Sequence, residues 1–173
     1  MANSFSYQVI KDTTEHAVIK LTGKFDGTGQ EDNNRRITAN SLYGALDSSK
    51  GNLLSSTANT GPLSYYGLSL NRLWYSGPNT GDVNLFWRAD TSVSIFMLNG
   101  NSEFDGQGNW VTIPNNTKGT ANSKGDIGIQ TRGMVANNSY TLILELRKDN
   151  EHYQRGQFND PAAFNYGSYG IRP

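Results

Sequence analysis

The side chains best suited to catalysis or metal binding are few and far apart along the chain. The only two histidines are His16 and His152, near opposite ends of the sequence. A catalytic triad or a zinc site needs a histidine with partners at a supporting spacing, and neither histidine has one. The absence of cysteine also excludes a thiolate metal site and a disulfide framework. The sequence therefore predicts surface or packing roles for both histidines, no catalytic residue and no metal ligand.

Two acidic segments match a calcium loop only in part. Residues 101–106 begin like an EF-hand loop, but the twelfth position, which requires a bidentate glutamate, is Thr112. A second segment contains Asp26, Glu31 and Asp32 without the alternating spacing that six to eight oxygen ligands need. We expect both segments to be solvated loops without a cation.

Enzyme signatures fail on similar grounds. Glu103 and Asp105 are two neighbouring carboxylates, but no predicted cleft sets their separation, as a glycosidase pair would need. The glycine-rich residues 23–29 lack the Gly-Lys-Ser/Thr ending of a P-loop, and no stretch matches Gly-x-Ser-x-Gly. The sequence therefore predicts a protein that is not an enzyme and has no cofactor.

Composition narrows the class of partner. The 173 residues carry a formal net charge of +0 with a pI near 6.7, so the chain has no excess of Lys and Arg for nucleic-acid phosphates. No window approaches 18 apolar residues, and the first residues lack the basic and apolar regions of a signal peptide. We therefore expect no nucleic-acid partner, no membrane span and synthesis in a cytoplasm.

Tyr140–Arg147 is the longest uninterrupted strand pattern and the element around which the fold is predicted. Tyr140, Leu142, Leu144 and Leu146 alternate with polar or branched residues and form one apolar face. A strand with one apolar face needs other strands to bury it. The pattern therefore predicts a central strand of a β-fold.

Further strand patterns are separated by turns, in a chain with 20 Asn and 19 Gly, residues that favour tight turns. They cover Phe5–Lys11, Glu15–Lys24, Ile37–Leu42, Leu68–Tyr75, Asp82–Ala89, Thr91–Leu98, Trp110–Ile113 and Asp126–Met134. The segment that starts at Ile37 also allows a short helix, which Gly44 and Gly51 would interrupt, so a strand followed by a loop is favoured. We expect three hairpins: the first two strands, the pair joined by residues 76–81, and the last strand with Tyr140–Arg147. The prediction is an all-β fold, a single antiparallel β-sandwich or jelly roll of about eight strands, over residues 1–148.

Aromatic residues on the middle pair of strands allow two interpretations. Trp74, Tyr75, Phe86 and Trp87 occupy both faces of the predicted hairpin. Either the sheet is buried on both sides, or one face is exposed for a partner or a sugar.

Residues 149–173 form a segment of a different character. They have neither strand nor helix periodicity, yet they contain five aromatic residues: Tyr153, Phe158, Phe164, Tyr166 and Tyr169. The prediction is an extended C-terminal tail that docks on a neighbouring subunit, with these five side chains as partner-binding anchors. The alternative is a tail that folds back on its own domain.

Two stretches resemble a known group of proteins. Val83–Val93 contains a strand, a tryptophan and the motif Asp-Thr-x-Val, and Gly125–Met134 runs into the Tyr-Thr-hydrophobic-Leu-x-Leu-Arg-Lys of Ser139–Lys148. Both resemble small virion structural proteins of tailed phages of marine bacteria, cyanophages especially. The resemblance implies a non-enzymatic component of a bacteriophage particle and gives no catalytic residues. This chain continues about 25 residues past the Arg-Lys ending.

Within a particle, the resemblance favours a capsid decoration or knob protein bound to the outside of the head. The alternatives are a neck or tail component, such as a ring, adaptor or fibre-associated protein, and a carbohydrate-binding module for receptor recognition. The implied partners are other virion proteins, either the major capsid protein or neck and tail proteins, and further copies in a homo-oligomer. The implied location is the virion, after synthesis in the host cytoplasm.

Overall fold

The fold is built from two antiparallel β-sheets that share one apolar core, in a computed structural model that describes residues 3–31, 34–106 and 111–154. The strands are β1 (Ser4–Asp12), β2 (His16–Lys24), β3 (Asn34–Ile37), β4 (Leu68–Ser76), β5 (Asp82–Trp87), β6 (Val93–Leu98), β7 (Asn101–Phe104), β8 (Ile113–Pro114), β9 (Ile127–Arg132) and β10 (Ser139–Lys148). The first sheet has the order β1-β2-β10-β4-β7, with β8 also paired to β4, and the second has the order β3-β9-β5-β6. The predicted all-β antiparallel sandwich is confirmed.

β10 is the central strand of the first sheet, as predicted. It pairs with β2 on one side and with β4 on the other. Leu142, Leu144 and Leu146 are fully buried, and Tyr140 is 2% exposed. The apolar face that the alternation predicts is therefore the face that packs on the core.

Only one of the three predicted hairpins forms. β1 and β2 pair as expected. β4 lies in the first sheet and β5 in the second, so the turn at residues 77–81 crosses between sheets instead of closing a hairpin. β9 and β10 are divided between the sheets in the same way. The prediction was wrong here because alternation identifies a buried face but not the strand that pairs with it.

A β-bulge changes which side chains of β4 face the core. Between Leu70 and Arg72, β4 contains one residue more than β10, and the register shifts. Leu70 faces the core before the bulge, and Leu73 and Tyr75 are buried after it. Regular alternation from Leu70 would place Arg72 and Trp74 on the core face, but after the bulge both of these side chains are only partly buried.

Two short elements differ from their predicted extents. The strand predicted at Ile37–Leu42 is instead the end of β3 followed by a 3-10 turn at Ala39–Ser41. The strand predicted at Trp110–Ile113 is limited to Ile113–Pro114, and Trp110 lies outside the described residues.

Candidate interaction surfaces

Tyr153 is the only predicted tail anchor that falls within the described residues. Its side chain is fully buried, and its hydroxyl donates to the carbonyl oxygen of Ala39 at 2.8 Å. Its ring lies 5.7 Å from that of Tyr66. Tyr153 therefore belongs to the core of its own domain, which corrects its predicted role as an anchor on another subunit. The other four predicted anchors, Phe158, Phe164, Tyr166 and Tyr169, lie outside the described residues.

The six residues after β10 are tied to the domain by backbone hydrogen bonds. The amide of Asp149 donates to the carbonyl of Gly67 at 3.2 Å. Further along, the amide of Gln154 donates to the carbonyl of Gly44 at 2.6 Å, and Ala45 and Tyr153 form an antiparallel bridge. The folded domain therefore continues through Gln154, beyond the predicted boundary at Lys148.

Lys148, the last residue of β10, holds three chain segments together at one end of the sandwich. Its side chain is fully buried, and its ammonium group forms an ion pair with Asp12. The same Nζ donates to the carbonyl oxygens of Thr13, at 2.5 Å, and Tyr43, at 2.7 Å. Burial lowers the pKa of the Lys148 ammonium, an effect that Asp12 opposes. The cluster fastens the β1–β2 turn and the loop at Tyr43 to the end of β10.

Asp149, Glu151 and His152 place carboxylate oxygens and a ring nitrogen within 4.8 Å of one another. Asp149 contacts Nδ1 of His152 at 2.7 Å, while Glu151 already pairs with Lys50 at 3.2 Å and Lys118 at 3.1 Å. The two lysines balance the negative charge that a cation would otherwise neutralise. These contacts are therefore best explained as attaching the chain after β10 to the rest of the domain.

Asp47 organises a loop that the sequence pattern did not single out. Its carboxylate accepts hydrogen bonds from Ser49 at 2.7 Å, from the backbone amide of Thr60 at 3.0 Å and from the side-chain amide of Asn52 at 3.2 Å. These donors, Ser49 first, hold the pKa of the Asp47 carboxyl well below its usual range. The signal in the sequence is a cluster of Ser, Asn and Thr around one aspartate, a composition typical of loops.

Within the described residues, the acidic side chains of the two predicted loops lie in separate environments. Glu103 lies in the regular strand β7, opposite Trp74 of β4. Glu31 is buried and accepts hydrogen bonds from Arg36 at 2.6 Å and from the hydroxyl of Tyr140 at 2.7 Å. Asp26 accepts from the amide and hydroxyl of Thr28, which lower its pKa. Asp32 lies outside the described residues.

The outermost strand of the first sheet exposes an apolar surface. Three residues of β1 form what we call the β1 strip: Tyr7 is 44% exposed, Val9 43% and Ile10 53%. Tyr7 and Val9 lie opposite the buried Leu21 and Ile19 of β2, and Ile10 is the extra residue of a β-bulge. Among the described residues, nothing pairs with the other edge of β1. The alternating sequence predicts the strand but not its edge position, so it could not predict this exposure.

A second surface lies on the outer face of the first sheet, around Trp74. The indole is partly exposed and lies opposite Glu103 of β7 and Ile143 of β10. A shallow groove of about 290 Å³ opens beside it. The groove lining includes Trp74, Ser76, Asn101, Ser102, Glu103 and Thr141.

The three other aromatic residues of the predicted middle hairpin are buried. Trp87 is 1% exposed, and Tyr75 and Phe86 are each 4% exposed. Trp74 is therefore the only one of the four with a face available to a ligand.

Comparison of the chain with protein-family models, curated proteins and solved structures found no match. No helix in the described part of the chain is long and apolar enough to cross a membrane.

Proposed function

We propose that this chain is a non-enzymatic structural protein of a phage virion, bound to the outside of the head as a decoration protein. The resemblance of Val83–Val93 and of Gly125–Lys148 to phage virion proteins supplies the biological context. The observation that carries the proposal is that buried ionisable side chains of the described residues serve to hold the fold together. They bond to partners within the fold and hold loops against the sandwich.

Three clusters illustrate this use. Lys148 joins the β1–β2 turn to the end of β10. The Asp47 carboxylate accepts hydrogen bonds from donors of one loop, and the Glu31 carboxylate accepts them from Arg36 and Tyr140. A reactive acid, base or nucleophile must reach its substrate, whereas these groups are committed to internal partners. The arrangement supports a role in which the protein contributes a rigid body and its surfaces.

Loops that are held by buried ion pairs and hydrogen bonds also suit the conditions that a decoration protein meets. A protein on the outside of a particle must stay folded after the host cell lyses, and this chain contains no cysteine to form disulfides. Buried ion pairs and saturated hydrogen-bond clusters rigidify loops without covalent links.

Quantitative mass spectrometry of purified virions tests the proposal. A decoration protein is expected in many copies, in a fixed ratio to the major capsid protein. A small copy number per particle would instead support the neck or tail alternative. Absence of the protein from purified particles would refute a virion role.

The groove beside Trp74 favours a second candidate function, recognition of a glycan. Sugar rings stack their C–H faces on an exposed indole, while hydroxyl, amide and carboxylate groups around it bind the sugar hydroxyls. Trp74 supplies the indole, and Glu103, Asn101 and Thr141 supply the polar groups. Trp87, the other tryptophan of the predicted middle hairpin, is too deeply buried for this role.

A glycan array followed by titration calorimetry tests the second candidate. We expect sugar-dependent binding that Trp74→Ala weakens at least tenfold and that Trp74→Phe retains in part, because phenylalanine still offers a ring. The matched control is Tyr43→Ala, which removes a 55% exposed aromatic residue from a different surface. Binding that is unaffected by Trp74→Ala would exclude the groove.

A further inference from the structure

The outer face of the first sheet presents its side chains in rows that cross the strands. One row starts at Lys20 of β2 and crosses Ile143 of β10. It continues through Trp74 of β4 and ends at Glu103 of β7. All four side chains are exposed or partly exposed, and the shared core lies on the opposite face of the sheet. The row therefore has a cation at one end, two apolar side chains in the middle and an anion at the other end.

The two charges at the ends of this row are not paired within one molecule. Lys20 and Glu103 are three strand spacings apart, about 14 Å, with Ile143 and Trp74 between them. Among the described residues, neither Lys20 nor Glu103 forms an ion pair. Both charges are therefore available to a partner that presents the opposite sign.

This order of side chains is complementary to itself. A two-fold axis parallel to the strands, midway between β10 and β4, places the outer faces of two copies against each other. It sets Ile143 against Trp74 of the second copy, and Lys20 against Glu103 of the second copy. A two-fold contact is isologous, so each pair occurs twice. The row therefore supplies two apolar contacts and two ion pairs.

The neighbouring rows match under the same axis. Towards the start of β10, Thr141 lies opposite Ser76, and the axis sets each against the other's hydroxyl group in the second copy. Towards the end of β10, Glu145 lies opposite Arg72, and the axis sets each against the opposite charge of the second copy. Within one molecule, Arg72 Nε lies 3.8 Å from the Glu145 carboxylate and makes no hydrogen bond. The central pairs of all three rows therefore combine opposite charges or uncharged groups.

The twist of β-sheets is compatible with this contact. Two sheets that pack face to face lie about 10 Å apart, with strand directions within about 30° of each other. Lys20 and Glu103 each lie about 7 Å from the axis, so a rotation of 30° shifts one along the strands relative to the other by about 4 Å. The flexible four-carbon stem of lysine can span this shift.

We propose that two copies of this chain associate through the outer faces of their first sheets. Trp74 and Ile143 form the centre of the contact, and Lys20 and Glu103 form ion pairs on both sides of it. A second copy is favoured over a glycan as the occupant because a glycan in the groove would leave Lys20 unpaired. The dimer covers Trp74, so the two occupants exclude each other. The inference goes beyond the virion role, and copy number in a particle does not depend on it.

Sedimentation equilibrium of the full-length protein over a wide concentration series tests this proposal. The contact spans only about four strands, which is small for a specific interface, so we expect a dimer that dissociates in the micromolar range. Glu103→Lys and Lys20→Glu are each expected to weaken the dimer about tenfold or more, because each sets like charges against each other. The double variant Lys20→Glu/Glu103→Lys exchanges the two charges and is expected to restore most of the lost affinity.

Two control variants keep the proposed contact intact. Lys124→Glu reverses the charge of an exposed lysine in the loop before β9 and is expected to leave the dimer unchanged. Tyr7→Ser/Val9→Thr makes the β1 strip polar and is also expected to leave the dimer unchanged. Circular dichroism of every variant checks that the fold is retained.

Three results would overturn the proposal. A protein that stays monomeric at the highest concentration would exclude the contact, and sugar binding by that monomer would assign the face to a glycan. A dimer that resists both single charge reversals, or that Tyr7→Ser/Val9→Thr weakens, would place the contact on another surface. Loss of the dimer in the single variants without recovery in the double variant would show that Lys20 and Glu103 do not face each other.

Discussion

Replacing Lys148 by methionine tests the idea that buried charge fastens the end of β10. Methionine has a similar length but no charge and no donor, so the change leaves the Asp12 carboxylate and the carbonyls of Thr13 and Tyr43 without the ammonium group. Breaking a buried ion pair by removal of one partner costs about 3–5 kcal/mol. The Asp12 side chain keeps 17% exposure, so water screens part of this loss.

We therefore expect Lys148→Met to lower the free energy of unfolding by about 3 kcal/mol, at the lower end of that range. For a chain of this size, the loss corresponds to a fall in melting temperature of about 6–12 °C. Urea unfolding followed by tryptophan fluorescence measures the free energy. The control, Lys24→Met, removes an exposed lysine at the end of β2 and is expected to change stability by less than about 0.5 kcal/mol.

A double-mutant cycle with Asp12→Asn sharpens the test. If the ion pair is the source of the effect, the two single changes are not additive and the double variant recovers part of the loss. Lys148→Met with the stability of Lys24→Met would refute the reasoning. Additive effects in the cycle would assign the loss to the two carbonyl contacts instead of to Asp12.

Three further predictions concern the core, the tyrosines and the Asp47 loop. Leu144→Ala is expected to cost about 3 kcal/mol in urea unfolding because the side chain is fully buried, whereas Ile143→Ala, on the outer face of the same strand, is expected to cost clearly less. Burial raises the pKa values of Tyr65 and Tyr75 to about 12, above their ordinary 10.0. Their contribution to stability is therefore complete below pH 10 and is lost as the pH rises through 12. Unfolding scans between pH 9 and pH 12 that show no fall in stability would contradict this. The lowered pKa of Asp47 gives the opposite sign, with stabilisation present above pH 4 and lost as the pH falls further; Asp47→Asn is expected to reduce this loss in an acid titration followed by circular dichroism.

Periodicity predicts burial in this chain but not pairing. Leu142, Leu144 and Leu146 are correctly placed because β10 is regular along its length and has neighbours on both sides. The hairpins predicted for β4 with β5, and for β9 with β10, are wrong because both turns cross between sheets. A turn sequence specifies a reversal of direction, while the choice of sheet depends on contacts with distant strands.

The candidate surfaces depend on features that periodicity does not report. One extra residue in β4 decides that Leu73 faces the core and that Trp74 belongs to the outer face. Similarly, the position of β1 at the edge of the sheet, and not its sequence pattern, leaves Tyr7 and Val9 exposed. Local sequence contains neither the count of residues on the opposing strand nor the order of strands in the sheet.

The order of strands also separates the two surfaces on the first sheet. β1 lies at one edge, and β4, which carries Trp74, is three strands away. At the usual spacing between neighbouring strands, this separation is about 14 Å. Changes at sites that far apart with no shared partners act nearly independently. The β1 strip and the groove beside Trp74 are therefore separate surfaces, and substitutions in one are expected to leave the other unchanged.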